Sequence, residues 1–192
     1  MGLPDPYDVA AYDELEQRRI GGPMPLSRPI ELRDYDPRWP SLYAEHAARV
    51  LDALGERVRR LEHVGSTSVP GLPAKPIIDI ALEVPDSADE PGYVPDLEAA
   101  GYALRIREPD WFEHRLLRPP DGSAHLHVFP AGCEETDRML RFRDWLRTSD
   151  ADRELYLATK RELAAHHWKY MQQYADAKSE VVSQIMARAM AD

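Results

Sequence analysis

The sequence has little cysteine and no long apolar run. Cys133 is the one cysteine among 192 residues, which excludes an intramolecular disulfide and a zinc site of the Cys-x-x-Cys type. No apolar stretch approaches the roughly 20 residues that a membrane-spanning helix needs. The acidic, polar N-terminus lacks the apolar core of a signal peptide. We therefore expect a cytoplasmic protein without a membrane partner.

Positive charge is also scarce. Lysine and arginine total 24 residues against 34 aspartates and glutamates, so the net charge is −10. Such a chain does not attract a nucleic-acid backbone over long distances, although a local basic pocket is compatible with it. The sequence also lacks a G-x-x-x-x-G-K-[ST] phosphate loop. We expect small-molecule partners and no nucleic acid; the sequence does not indicate an oligomeric state.

The hydrophobic pattern predicts one α+β domain, residues 29–192, after an N-terminal extension, residues 1–28. A short helix from Asp8 to Arg19 ends before Gly21, and the extension is interpreted as a flexible or surface-packed tail, with a lid or a dimer arm as the alternative. The domain is predicted to be a mixed sheet flanked by helices, with a helical C-terminal half. Strands are expected near 30–32, 57–64, 76–84, 102–107, 111–118 and 124–129, and helices over 39–54, 89–100, 135–148, 151–167 and 169–190.

Residues 63–80, HVGSTSVPGLPAKPIIDI, are the most informative segment. A loop rich in glycine, proline and hydroxyl groups, together with the Lys75 ammonium, offers donors that suit phosphate oxygens. Asp79 lies in the middle of an apolar strand, where a charge is costly unless it is paired or binds a metal. The combination predicts a metal–nucleotide site. The structural alternative is that Asp79 pairs with Lys75 and that the loop hydroxyls satisfy their own backbone.

Two histidines, His125 and His127, are expected to share one face of the strand at 124–129, because side chains alternate along a strand. If that strand neighbours Asp79, the two rings and the carboxylate match the ligand set of many Zn²⁺, Mn²⁺ or Fe²⁺ sites. They also match a pocket that hydrogen-bonds a phosphate or a base. We favour substrate contact for His127 and a structural role for His125, and the metal-ligand alternative stays open.

These motifs resemble the GrpB family, a member of the nucleotidyltransferase superfamily typified by DNA polymerase beta. That superfamily carries Gly-Ser at the end of one strand, then a strand reading apolar–Asp–apolar–Asp/Glu; Gly65-Ser66 and Asp79 match, whereas Ala81 replaces the second carboxylate. The resemblance extends from about Ile30 to the C-terminus, through HLHVF at 125–129, RFRDWL at 141–146, and Tyr174 and Lys178.

The resemblance implies a nucleotidyltransferase fold and an enzyme that uses a nucleoside triphosphate with a small-molecule acceptor. Asp79 would hold Mg²⁺, with Mn²⁺ or Zn²⁺ as alternatives, and His127 would complete the catalytic site. Surface lysines on helices are usually solvated, and for Lys160 we favour that interpretation. Arg115 and Arg118 are further candidates for substrate anions. The residues expected to contact the nucleotide are Gly65, Ser66, Thr67, Ser68, Lys75, Lys160, Lys178 and Arg141.

Two other functions remain open. Ala81 leaves the strand with one carboxylate near the site, whereas two-metal transfer normally needs several. GrpB-like domains also occur fused to dephospho-coenzyme A kinases, so a non-catalytic domain that binds a nucleotide or coenzyme is the first alternative. The second is a single-metal enzyme of another class that uses Asp79, His125 and His127.

Overall fold

A five-stranded mixed sheet is the centre of the computed structural model, which describes residues 4–17 and 19–191. The strand order is β1-β2-β5-β4-β3; β2 and β5 are parallel, and the other neighbours are antiparallel. The strands are β1 Arg60–Val64, β2 Ile78–Val84, β3 Ala103–Glu108, β4 His114–Arg118 and β5 Ala124–Pro130. The helices are α1 Val9–Gln17, α2 Trp39–Leu54, α3 Val94–Ala99, α4 Glu134–Thr148, α5 Asp150–Ala164, α6 Met171–Asp176 and α7 Ser179–Ala191. The predicted α+β class is confirmed.

The two faces of the sheet differ in chemistry because side chains alternate along each strand. On one face, Ile80, Leu82, Leu126 and Val128 are fully buried and pack with apolar residues of α2 and α3. The opposite face carries the polar positions of β2 and β5. The apolar face therefore holds the sheet in place, and the polar face is available for function. Throughout the described ranges, each helix is too short or too polar to cross a bilayer.

Two predicted elements were wrong. The strand expected near residues 30–32 is limited to an isolated bridge between Arg33 and Ala74, and Ile30 packs in a separate cluster with Leu163 and Trp168. The single helix expected over 169–190 is two helices, α6 and α7, joined by a turn at 177–178. That turn contains neither glycine nor proline, so the sequence carried no break signal and tertiary packing decided it.

The N-terminal segment packs against the C-terminal helices in its described part. Tyr12 of α1 is fully buried, and its hydroxyl donates to Asp176 Oδ2 at 2.6 Å. The amide of Gln173 donates to Pro6 O at 2.9 Å, and Ile20 N donates to Arg105 O on β3 at 3.0 Å. The helix ends at Gln17, and Arg18 of the predicted span lies outside the described residues. The division into an extension and a domain stays a prediction.

We expect Tyr12→Ala to lower the free energy of unfolding by about 3 kcal/mol, because it removes a buried aromatic ring and leaves a cavity. Tyr7 is 59% exposed and lies on the same segment. The matched variant Tyr7→Ala should therefore cost well under half as much. Urea unfolding of the three proteins measures the difference. Equal stability of Tyr12→Ala and the wild type would show that the segment contributes nothing to folding.

His63 on β1 is a buried histidine between the sheet and α2. Its ring stacks on Tyr43 with centroids 4.8 Å apart, and its Nε2 lies 3.0 Å from Thr67 Oγ1. Burial lowers the pKa of His63 to about 4, below its ordinary value of 6.5. Between pH 6.5 and about pH 4, His63 is protonated in the unfolded chain and neutral in the folded chain. Acid should therefore destabilise the fold in this range.

For this reason, the free energy of unfolding should fall between pH 7 and pH 4.5, with His63 contributing about 2 kcal/mol of the loss. His63→Gln removes the titrating group and should flatten this part of the pH profile. The control is His167→Gln, since His167 is exposed. Urea unfolding at the two pH values tests the expectation, which fails if His63→Gln loses as much stability on acidification as the wild type.

Candidate metal and anion site

Asp79, His125 and His127 converge on the polar face of the sheet. In the parallel pair of β2 and β5, Asp79 lies opposite His125, and Ala81 lies opposite His127. His125 Nδ1 is 3.2 Å and His127 Nε2 is 3.8 Å from Asp79 Oδ1. One ligand atom of each side chain lies within 4.8 Å of the other two. Two imidazoles and one carboxylate form a donor set that suits Zn²⁺, Mn²⁺ or Fe²⁺.

The charge state of these groups also suits metal ligation. Burial by itself raises the pKa of Asp79, but the polar contacts and charges of His125 and His127 outweigh it and hold this pKa well below the usual carboxyl range. Burial lowers the pKa of His125. The carboxylate is therefore ionised and the His125 ring is neutral near pH 7, which are the forms that bind metals.

Gly65 brings the chain against Asp79. Its φ is +69°, a left-handed conformation that side chains rarely adopt, and a Cβ at this position would overlap Asp79 Oδ2. Both constraints explain why the turn between β1 and β2 needs glycine at this point. The turn thus places Ser66 beside the carboxylate-bearing strand.

The three hydroxyls after Gly65 have different partners. Thr67 Oγ1 bonds His63 and donates to Ile77 O at 3.4 Å, and Ser68 Oγ donates to Gly65 O at 2.6 Å. These two hydroxyls stabilise the turn itself. Ser66 Oγ instead accepts from the ammonium of Lys160 at 3.1 Å, so it is the hydroxyl of this run that belongs to a cationic environment.

Lys160 is 2% exposed, so the expectation of a solvated lysine was wrong. Its Nζ donates to Ser66 Oγ and, at 2.6 Å, to Pro73 O, which ties α5 to the loop before β2. The pattern of a polar residue on an amphipathic helix does not reveal such burial, because the loop that covers Lys160 comes from a distant part of the sequence. Burial and the neighbouring Lys178 lower the pKa of Lys160 to about 7.

Two further lysines surround Tyr174. Lys178 Nζ lies 4.6 Å and Lys75 Nζ 5.3 Å from the centre of the Tyr174 ring, and Lys75 Nζ is 2.6 Å from Met171 Sδ. Tyr174 and Lys178 were expected one turn apart on one helix; the contact exists, but it spans the turn between α6 and α7. Burial, together with Lys178, lowers the pKa of Lys75 to about 7.

The side chains of Lys75, Lys160 and Lys178 form a cluster of positive charge. Asp79 attracts both Lys75 and Lys160, but within residues 4–17 and 19–191 no carboxylate forms an ion pair with any of the three. A buried cation that lacks an acidic partner is costly. An anionic ligand would remove this cost, so the cluster is a candidate anion site beside Asp79.

Arg141 does not join the other predicted residues. It is exposed on α4 and lines a surface groove of about 550 Å³ with Asp137, Asp144 and Trp145. Two other arginines of α4 contact the turn instead. Arg143 donates to His63 O at 3.1 Å and Arg147 to Ser68 O at 2.9 Å. The helix periodicity could not show which arginines of this helix face the turn.

The hairpin arginines differ in their availability. Arg115 is held by ion pairs with Glu90 and Glu113. Arg118 is expected on the same face as His125, because Leu116 of the same strand lies opposite His127. Burial, with Arg105 and Arg19 nearby, lowers the pKa of Arg118, and in the part of the chain that the structure describes it forms no ion pair.

The sequence analysis missed Glu108 and His114. His114 Nε2 lies 3.1 Å from His127 Nδ1, and His114 Nδ1 lies 2.7 Å from Glu108 Oε2. His114 follows an irregular turn between β3 and β4, so no strand or helix period connected it with His127. The predicted strand at 111–118 contained it, but an isolated histidine in a strand does not identify its neighbours.

Comparison with known proteins identifies the family. A family model described as GrpB protein matches residues 29–188. A UPF0157 protein of Halalkalibacterium halodurans is 58% identical over 179 residues, which are 93% of this chain and 92% of the relative. The crystal structure of the conserved protein GrpB from Enterococcus faecalis has a TM-score of 0.74 and 30% identity, and the match covers 84% of this chain and 98% of that one.

A more distant relative carries a functional name. A dephospho-CoA kinase of Mycolicibacterium paratuberculosis is 32% identical over 160 residues, which cover 69% of this chain but 39% of the kinase. The similarity therefore concerns a part of that protein. Since the family model spans more than half of the chain and the Halalkalibacterium halodurans relative matches over 92% of its length, this chain belongs to the GrpB family.

Proposed function

We propose that this chain binds one divalent transition metal through Asp79, His125 and His127 and uses it in phosphoryl or nucleotidyl transfer from a nucleoside triphosphate or a similar phosphate-bearing coenzyme. The carrying observation is the convergence of these three donors beside lysines that form no ion pair with a carboxylate in the described part of the chain. Mn²⁺ or Zn²⁺ fits the donors better than Mg²⁺, because two of the three ligand atoms are nitrogen and Mg²⁺ prefers oxygen.

In this proposal, one group of residues binds the metal and the lysines bind the phosphate. A metal bound here would polarise a phosphoryl oxygen and neutralise the charge that develops on the transferred group. Lys75 and Lys178 are placed to contact non-bridging oxygens, and Lys160 orients the Ser66 hydroxyl. Because Lys75 and Lys160 are desolvated, their ammonium groups stabilise negative charge more strongly than lysines in water do. A small-molecule acceptor completes the proposal.

The placement in the nucleotidyltransferase superfamily is part of this proposal. It is supported by the Gly65-Ser66 turn, which joins antiparallel strands β1 and β2, and by the position of Asp79 on the second of them. Ala81 is fully buried, and Glu83, the next residue on that face, accepts from Gly132 N at 2.9 Å. This strand therefore favours one metal rather than two.

A non-catalytic binding domain is the second candidate. The similarity to part of a dephospho-CoA kinase favours it, because an accessory domain would bind a nucleotide or coenzyme without transforming it. The two candidates share the anion site and differ in turnover. Ligand binding with no product after prolonged incubation with metal, nucleotide and a panel of small acceptors would favour the accessory role.

We expect apo protein to bind one equivalent of Mn²⁺ or Zn²⁺, and Asp79→Asn, His125→Ala and His127→Ala each to lose this binding. A lost ligand should weaken affinity by more than the 10–100-fold typical of residues behind the ligands. Glu62→Gln is the matched control, since Glu62 lies opposite Ala81 on the neighbouring strand and pairs with Arg143. Elemental analysis and calorimetric titration measure both effects; wild-type affinity in all three variants would eliminate the metal site.

For the anion site, we expect Lys75→Met to weaken tripolyphosphate binding by about 10–100-fold, the loss expected for a hydrogen bond to a charged group. Lys169→Met is the control, because Lys169 is a half-exposed lysine paired with Asp13. Wild-type affinity should also fall as pH rises from 6 to 8.5, since Lys75 and Lys160 lose their protons near pH 7. Titration calorimetry measures the tripolyphosphate affinities, and equal affinity of the two variants would remove Lys75 from the site.

A further inference from the structure

We propose that His114 and Glu108 are positioning residues that set the tautomer of His127 and direct its Nε2 lone pair toward the metal. The inference rests on the proposed metal site and assigns it a second layer of residues. Such residues are important in metalloproteins because a ligating histidine commonly donates its other ring N–H to a partner that fixes the ring.

The geometry forms a continuous chain from the surface to the metal-binding atoms. Glu108 Oε2 is 2.7 Å from His114 Nδ1, and His114 Nε2 is 3.1 Å from His127 Nδ1. His127 Nε2 then faces Asp79 Oδ1 across 3.8 Å, which is too long for a hydrogen bond. His114 therefore uses both ring nitrogens and His127 uses Nδ1, and among the described residues His127 Nε2 has no hydrogen-bond partner.

The carboxylate decides where the protons lie. At 2.7 Å, the Glu108 carboxylate requires a donor, so His114 carries its proton on Nδ1. His114 Nε2 is then an acceptor, and His127 must donate from Nδ1. His127 Nε2 is left with a free lone pair, which is the form that binds a metal. The opposite arrangement would place two lone pairs against each other between Glu108 and His114.

The burial of His114 disfavours its doubly protonated form. A doubly protonated His114 could donate to both neighbours, but its side chain is 3% exposed and lies against the rings of Trp111 and Phe129, with centroids 4.9 Å away in both cases. A charged imidazolium is costly in such an apolar environment. The same contacts hold the ring at a fixed angle, so its orientation is imposed on His127.

The backbone before His114 is strained. Phe112 and Glu113 have φ values of 53° and 50°, a left-handed conformation that is unfavourable for residues other than glycine. The turn is held by the buried Ser87, whose hydroxyl donates to Glu113 O at 2.8 Å, and by Arg115, which donates to the same oxygen at 3.0 Å. Strain maintained in this way is characteristic of functional positions. Here the strained turn places His114 beside His127.

The first experiment reads the tautomers directly in apo protein. Long-range ¹H–¹⁵N spectra at pH 7.5 should show His127 and His114 both protonated on Nδ1. Glu108→Gln removes the requirement for a donor and should give a mixture of tautomers in both rings. Wild-type His127 protonated on Nε2, or unchanged tautomers in Glu108→Gln, would overturn the proposal.

The second experiment measures Mn²⁺ or Zn²⁺ affinity by titration. Glu108→Gln and His114→Phe should each weaken it about 10–100-fold. Glu113→Gln is the matched control: its side chain is 44% exposed, like that of Glu108, and it lies on the same turn outside the chain of hydrogen bonds, so its affinity should equal that of the wild type.

The outcomes separate the two proposals. Normal affinity in folded Glu108→Gln would remove the positioning role, even if His114→Phe failed to fold. If the wild type binds no divalent metal, the proposed function fails, whereas the spectra still decide whether Glu108 and His114 orient His127.

Discussion

An ionised carboxylate on an interior strand of the sheet is the feature on which the rest of this structure depends. Asp79 lies on β2, which pairs with β1 on one side and β5 on the other. Its charge is stabilised by His125 and His127 of β5. The approach of Gly65 to the same carboxylate explains the left-handed turn after β1. Because a partly buried charge is costly unless it is compensated, the polar partners on this face stabilise the ionised carboxylate.

The two faces of the sheet have different roles: one stabilises the fold, and the other carries the proposed site. The apolar face packs with α2 and α3 and stabilises the fold by burying side chains such as Ile80 and Leu126. The polar face is bordered by Lys75 and Lys160, whose ammonium groups are desolvated at a cost in stability. Such groups are retained at sites because the desolvation that costs stability also strengthens their interaction with an anion.

The packing of the C-terminal helices completes the polar face. Lys160 of α5 bonds the turn after Gly65, and Lys178 follows a break between α6 and α7. The N-terminal segment is tied to the same region, because Tyr12 bonds Asp176 near the end of α6. Segments from three distant parts of the sequence therefore pack together in this region.

The sequence by itself determined the α+β class and most strands and helices. It also singled out Asp79, since a lone carboxylate in an apolar strand is visible in the sequence. It also indicated that His125 and His127 share a face, because the period of a strand is two residues. Only the tertiary structure decided that Lys160 is buried, that Arg141 lies elsewhere, and that Glu108 and His114 lie behind His127. These facts depend on register between strands and on packing between distant segments, which local periodicity does not encode.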